Sequence, residues 1–215
     1  MTLSLENLTI HKSGGEVLFS DCSFQIESGE VLTLMGPSGC GKSTLLDVIA
    51  GHLSSEFTFS GSVTLNGQRI ERLEPHKRRV GILFQDDLLF PHLNVWENLA
   101  FALPDDCKGI QREQSAMDAL ASVQLTQVAS QYPEQLSGGQ RARVSLIRML
   151  LAKPEAALLD EPFSKLDKEL RLQFRDWVFE QLTAANIPTL MVTHDESDVP
   201  ADSRVLTWPW NNHYA

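Results

Sequence analysis

The residues Gly36, Pro37, Ser38, Gly39, Cys40, Gly41, Lys42 and Ser43 fit the pattern G-x-x-x-x-G-K-[ST]. Glycines at these intervals allow successive backbone N–H groups to point inward at one anion. A helix that opens at the end of such a loop adds roughly +0.5 of an elementary charge at the same place. Lys42 then reaches the β- and γ-phosphates of a nucleoside triphosphate, and the Ser43 hydroxyl can ligate Mg²⁺. With Thr44, these residues are the nucleotide-binding candidates. By background composition such a match arises in about one chain of this length in a hundred. The apolar run Val31–Met35 before it and the helical pattern after it are the context a phosphate loop requires. Cys40 lies inside the loop, where a helix terminus and a lysine can activate a thiol; the alternative is a small apolar filler.

Two further groups carry chemistry. Ala156–Leu159 is an apolar run that ends in Asp160 and Glu161. A carboxylate at a strand tip can hold Mg²⁺ through water, and its neighbour, pointing elsewhere, can orient or deprotonate an attacking water. The second group is Leu136-Ser137-Gly138-Gly139-Gln140, which leads into a helix rich in Arg and Leu. Ser137 is a natural N-cap, and Gly138 and Gly139 leave helix-terminal N–H groups open to a second anion.

The elements that must position these groups follow from periodicity. Residues 3–10 and 17–27 read as two antiparallel strands joined by a turn at Ser13, Gly14 and Gly15. The loop is followed by a helix with Leu45, Leu46, Val48 and Ile49 on its apolar side and Gly51 as its stop. Residues 62–65 read as a strand ending in the hairpin turn Asn66-Gly67. Val80–Phe84, Ala156–Leu159 and Thr189–Val192 read as buried strands separated by helices, and Val205–Trp208 as a last short strand. This predicts an α/β fold with a mainly parallel sheet and an N-terminal antiparallel part. The segment from about 86 to 150 is helical in pattern and broken at Pro91, Pro104 and Pro133. It predicts a helical subdomain inserted between residues 1–85 and 151–215 of the sheet part. Trp208-Pro-Trp210 suggests local packing alone.

Composition narrows the setting. The 215 residues carry 28 acidic and 18 Lys or Arg side chains, a formal charge of −10, which disfavours nonspecific binding to nucleic acid. No stretch approaches the roughly 20 apolar residues of a membrane span. The start, MTLSLENLTIHKSGGE, has no basic region followed by an apolar run, so no signal peptide is expected. Cys22, Cys40 and Cys107 are read as reduced thiols. A cytoplasmic protein is expected.

The phosphate loop, the LSGGQ string and Leu158-Leu159-Asp160-Glu161-Pro162 together resemble the ATP-binding subunits of ABC transporters, over essentially the whole chain. The stretches GILFQDDLLFPHLNVWENLAFALP, LSGGQRARVSLIRMLLAKPEAALLDEPFSKLD and THDESDVPAD resemble the YnjD-type ATPase subunits of binding-protein-dependent importers. The resemblance implies an ATPase fold with a P-loop core and a helical signature subdomain, and the cofactors ATP and Mg²⁺. It implies that Gln85 is the Q-loop glutamine, bridging Mg²⁺ or the lytic water to the helical part. It makes Ser164-Lys165-Leu166-Asp167 the D-loop, which crosses to a partner subunit, and His194 the switch histidine at the γ-phosphate. Glu161 is then the catalytic base, with Lys42, Gln85 and His194 beside it, and Ser43, Gln85 and Asp160 are the metal residues. Ser137, Gly138, Gly139 and Gln140 would cap the γ-phosphate held by a second copy of the chain. The implied partners are that second copy, transmembrane permease subunits and, indirectly, a solute-binding protein, with the ATPase peripheral on the inner face of the cell membrane.

The family places an adenine-stacking aromatic ring before the second strand, whereas Ile10–Gly15 here contain no Phe, Tyr or Trp, and His11 is the candidate left. Most of the apolar-rich stretch Phe90, Leu93, Val95, Trp96, Leu99, Phe101 and Leu103 is expected to be ordinary core, and the resemblance implies that this region helps form the groove for the permease. The alternative assignment is a non-transport ABC ATPase, such as one serving iron–sulfur cluster assembly.

Overall fold

The computed structural model describes residues 1–164, 166, 168–201 and 203–210, with the backbone alone for 168–170. It divides into two compact units, one made of residues 1–82, 155–161 and 179–215, the other of residues 83–154 and 162–178.

The first unit carries the sheets. Strand β1 (Thr2–Lys12) lies between β2 (Val17–Glu27) and β4 (Phe57–Leu65), and β5 (Gln68–Arg69) follows β4 across the Asn66-Gly67 turn. All these pairings are antiparallel. The strand expected from Ser62 begins at Phe57 instead. Gly61 hid this extension. It sits at φ +101 where an added Cβ would lie 2.6 Å from the Asn7 carbonyl oxygen, opposite a slip in the β1–β4 register between Glu6 and Thr9. A glycine-marked irregularity inside a strand reads locally as a strand end.

The second sheet has the order β6-β7-β8-β3-β9, formed by Val80–Leu83, Ala156–Asp160, Thr189–Thr193, Val31–Met35 and Arg204–Thr207. The β7–β8, β3–β8 and β3–β9 pairings are parallel. Helix α1 (Lys42–Ala50) follows β3 and ends at Gly51, as its sequence predicts. Its Leu45, Leu46, Val48 and Ile49 are buried in one core with Leu32 and Leu34 of β3 and with the inward residues of β1.

The second unit is helical: α2 (Val95–Ala102), α3 (Ile110–Ser122) and α4 (Gly138–Leu151), with the first part of α5 (Lys168–Ala185). Asn94 and Glu97 form a reciprocal cap on α2. The fully buried Asn98 donates to the carbonyls of Phe90, Leu93 and Asn94 and accepts from the Phe90 N–H, which fixes the lead-in loop. This unit was expected to close near residue 150 and instead includes residues 162–178. Aromatic packing accounts for it: Phe174 stacks on Trp177 at 5.7 Å and meets Phe163 edge-on, and Trp177 packs on the cluster formed by α2, α3 and α4.

Arg78 anchors α1 from behind. It is 7% exposed, and its guanidinium donates to the carbonyls of Val48 and Ile49 at the helix end and of Glu71 and Leu73. Arg78→Ala strands these carbonyls and should lower stability by about 3 kcal/mol. The expected readout is a lower urea midpoint at unchanged slope, with Arg78→Lys intermediate because one ammonium cannot fork to four acceptors. An unchanged midpoint would mean that water replaces the guanidinium at no cost.

Candidate active site

Three parallel strands deliver the chemistry to one sheet edge. Met35 pairs with Thr193 and Asp160 with Val192, so the ends of β3, β7 and β8 lie side by side. The loop after β3, the carboxylates after β7 and His194 after β8 therefore emerge together, as ligand sites do in open parallel sheets.

The loop itself is tightly specified. Gly41 caps α1 at φ +100, and an added Cβ would sit 2.6 Å from Leu18 Cδ2. Lys42 is only 6% exposed, and its ammonium donates to the carbonyls of Gly36 at 2.8 Å and Pro37 at 3.0 Å. Behind the loop, Met35 O accepts from the Trp208 N–H and from Trp210 Nε1. Phe19 meets both indoles edge-on. Trp208 and Trp210, expected only to pack, thus brace the strand end from which the loop springs.

Ser38, Gly39, Gly41, Lys42, Ser43, Thr44 and Glu161 line one cleft of about 270 Å³. Ser43 Oγ donates to Asp160 Oδ1 at 3.1 Å. Burial raises the Asp160 carboxyl above its ordinary pKa, and the Glu161 charge adds to this, while Ser43 and Lys42 oppose it. Asp47 is also raised, by burial and then by Asp160. This corner is crowded with carboxylates and offers hard oxygen donors, which suits a small divalent cation. Among the described residues no group of three His, Cys, Asp or Glu could hold a metal alone, so such a cation would complete its shell from phosphate and water.

Glu161 stands at φ 45, its N–H bonded to the Val192 carbonyl. Its Oε1 lies 3.0 Å from His194 Nδ1. The two residues predicted to serve hydrolysis are therefore direct partners.

Ser137, Gly138, Gly139 and Gln140 belong to the helical unit. Ser137 caps α4 by accepting from the Gln140 N–H, and the Gln140 side chain accepts from the Ser137 N–H. Ser137 and Gly138 are exposed and Gly139 is buried. Gln85 shares a pocket of about 180 Å³ with Gly138 and Arg141. Of the D-loop, Lys165 and Asp167 lie outside the described residues.

Sequence reasoning missed two sets of residues. Arg141, Ser145 and Arg148 latch the chain after Gln85: Arg141 pairs with Asp87 at 2.8 Å, Ser145 donates to the Asp87 carbonyl and Arg148 to the Leu88 carbonyl. Their i, i+4, i+7 spacing marks one helix face and was the available signal. The other is the apolar wall of the cleft, made by Leu18 and Phe57 beside Lys12. His11, for which stacking on the base and a plain exposed strand-end position were both open readings, is not in that lining. Of the two readings of Cys40, the structure supports the small apolar filler: the side chain is buried, and burial raises its thiol pKa against the pull of Lys42.

The sequence profile of the ABC transporter family matches residues 19–164. The chain belongs to the ABC transporter family. It is 50% identical to the "uncharacterized ABC transporter ATP-binding protein YnjD" of Escherichia coli K12, over 92% of this chain and 91% of that protein. It is 39% identical to a sulfate/thiosulfate import ATP-binding protein of Pseudomonas aeruginosa, over 92% of this chain. It is 38% identical to an Fe(3+) ions import ATP-binding protein of Fusobacterium nucleatum, over 94% of this chain. The chain spans 60% and 54% of these two importer proteins' lengths. This ABC ATPase thus binds ATP through a P-loop on an α/β core. Among the described residues no helix is long and apolar enough to cross a membrane.

Thiol burial makes the order of cysteine reactivity predictable. Cys22, buried and with its thiol pKa pushed up to about 12, and buried Cys40 should resist Ellman's reagent in the native protein, while half-buried Cys107 reacts. Unfolding should release all three. A fast-reacting Cys40 that nucleotide protects would restore the activated-thiol reading.

Proposed function

We propose that this chain hydrolyses Mg²⁺-ATP to energise a membrane transporter, as the ATPase subunit of a binding-protein-dependent importer. The observation that carries the proposal is the single cleft shared by Lys42, Ser43 and Glu161, with Asp160 bonded to Ser43 and His194 to Glu161. The loop N–H groups and Lys42 bind the β- and γ-phosphates. Ser43 and Asp160 would hold Mg²⁺, which when bound neutralises phosphate charge. Glu161 accepts a proton as water oxygen bonds the γ-phosphorus and the bond to the β-γ bridging oxygen breaks, leaving ADP and phosphate. His194 holds the Glu161 carboxylate in place through their 3.0 Å contact. Lys42, held to the Gly36 and Pro37 carbonyls, is already positioned for the charge on the transferring group.

A second copy would complete the site with Ser137, Gly138, Gly139 and Gln140. The Ser137 oxygen accepts from the Gln140 N–H, which leaves its hydroxyl proton to donate to a phosphate. ATP that binds the closed pair better than the open one supplies the driving force for a conformational change. Gln85 would report the nucleotide to the latched segment that follows it. Exposed Leu88 and Phe101 would offer apolar surface to a permease at the inner face of the membrane. The import reading is supported by the chain's similarity to the sulfate/thiosulfate and Fe(3+) ions import ATP-binding proteins.

Glu161→Gln should cut turnover by about a thousand-fold while ATP binding persists and dimer accumulates in gel filtration. Near-parental turnover would remove the general-base role. Lys42→Ala should weaken ATP binding at least about ten-fold, measured by equilibrium titration. Leu88→Ser with Phe101→Ser should abolish co-purification with a permease and leave hydrolysis by the isolated subunit unchanged; retained co-purification would place the contact elsewhere.

A further inference from the structure

The cleft has two chemically different walls. One is the phosphate loop with Lys42 and Ser43; the other is hydrocarbon, made by Leu18 and Phe57 with Lys12 beside them. We infer that Phe57 is the platform on which the nucleotide base stacks, a role that rests on the ATP reading above.

The placement of Phe57 is dictated by its strand. Phe57 pairs with Lys12 across β1 and β4. The turn before it is closed by the Phe57 N–H on the Ser54 carbonyl at 3.0 Å. It is further tied by the Ser13 N–H on the Glu56 carbonyl at 2.7 Å and by Ser13 Oγ on the Ser55 carbonyl at 3.0 Å. Phe57 packs against the main core, is only half-buried, and lines the cleft. The ring is thus held by buried neighbours and presented by a paired strand, so little ordering is left for ligand binding. Leu18 adjoins the loop at Gly41 and extends the same apolar wall. The Lys12 ammonium is bound to Glu16 at 2.8 Å, which leaves its methylene stem to the cleft. A nucleoside triphosphate matches this division, with anionic phosphates for the loop and a π-faced base for a ring that carries no hydrogen-bonding group.

The test separates base from phosphates. Parent and variants are titrated with ATP and with inorganic tripolyphosphate, which keeps the phosphate chain and has no base. Phe57→Ala should lose ATP affinity about ten-fold or more and keep its tripolyphosphate affinity. Retained tripolyphosphate binding also shows that the loop is still folded. Phe57→Trp should keep ATP affinity, and its added emission should be quenched by ATP and not by tripolyphosphate. Undiminished ATP affinity in Phe57→Ala overturns the inference, as does equal loss of both ligands. A parent protein that binds tripolyphosphate and ATP equally would likewise show that no base platform exists, while a parent that binds neither overturns the nucleotide reading itself.

Discussion

Everything in the sheet unit is arranged around one buried ammonium. An amine held away from water is unfavourable unless oxygen acceptors surround it, and Lys42 finds them in the carbonyls of Gly36 and Pro37. Those carbonyls converge because the loop winds back over the lysine that follows it. Gly41 makes the winding sterically possible against Leu18, and Trp208 and Trp210 fix its origin through the Met35 carbonyl. Arg78 fixes the far end of α1. The loop is therefore held at both ends by contacts within the chain itself.

The parallel sheet solves the complementary problem, bringing distant residues to that ammonium. Asp160 and His194 are far apart in sequence, but β7, β8 and β3 share one register, so a carboxylate, a histidine and the loop leave the sheet at the same edge. The charge of −10 over the whole chain is uninformative here. Locally, Asp47, Asp160 and Glu161 crowd together, burial raises the first two, and Lys42 pulls the other way on Asp160. These charges leave the corner by Asp160 negative and the loop side, with Lys42, positive.

What could be read from the sequence was what short-range chemistry dictates. Gly41 before Lys42, the Asp160-Glu161 pair and the Ser137 cap are each fixed within a few residues, and the strands beneath them are continuous apolar runs. Phe57 escaped because its meaning is nonlocal: it depends on a register slip opposite Gly61 and on Lys12 lying across the ladder. The segment 162–178 escaped for a similar reason, since its allegiance to the helical unit rests on Phe163, Phe174 and Trp177 meeting in space. His11 was suggested by position relative to a strand end, and position along a strand does not say which side chains border a cleft between sheet and loop.

The helical unit repeats, in different residues, the device that steadies the loop. Arg112 donates to the carbonyls of Ala100, Leu103, Pro104 and Cys107 and closes the end of α2, much as Arg78 closes α1. Ser145 and Arg148 do the same for the chain after Gln85, where Arg141 adds an ion pair to the Asp87 carboxylate. In each case a rigid fork or a hydroxyl satisfies carbonyls that a helix end or a loop would otherwise leave open. Gln85, itself exposed, is followed at once by backbone that is hydrogen-bonded to α4. The segment that carries Leu88 and the helix whose N-terminus is Ser137 are thus joined directly by hydrogen bonds.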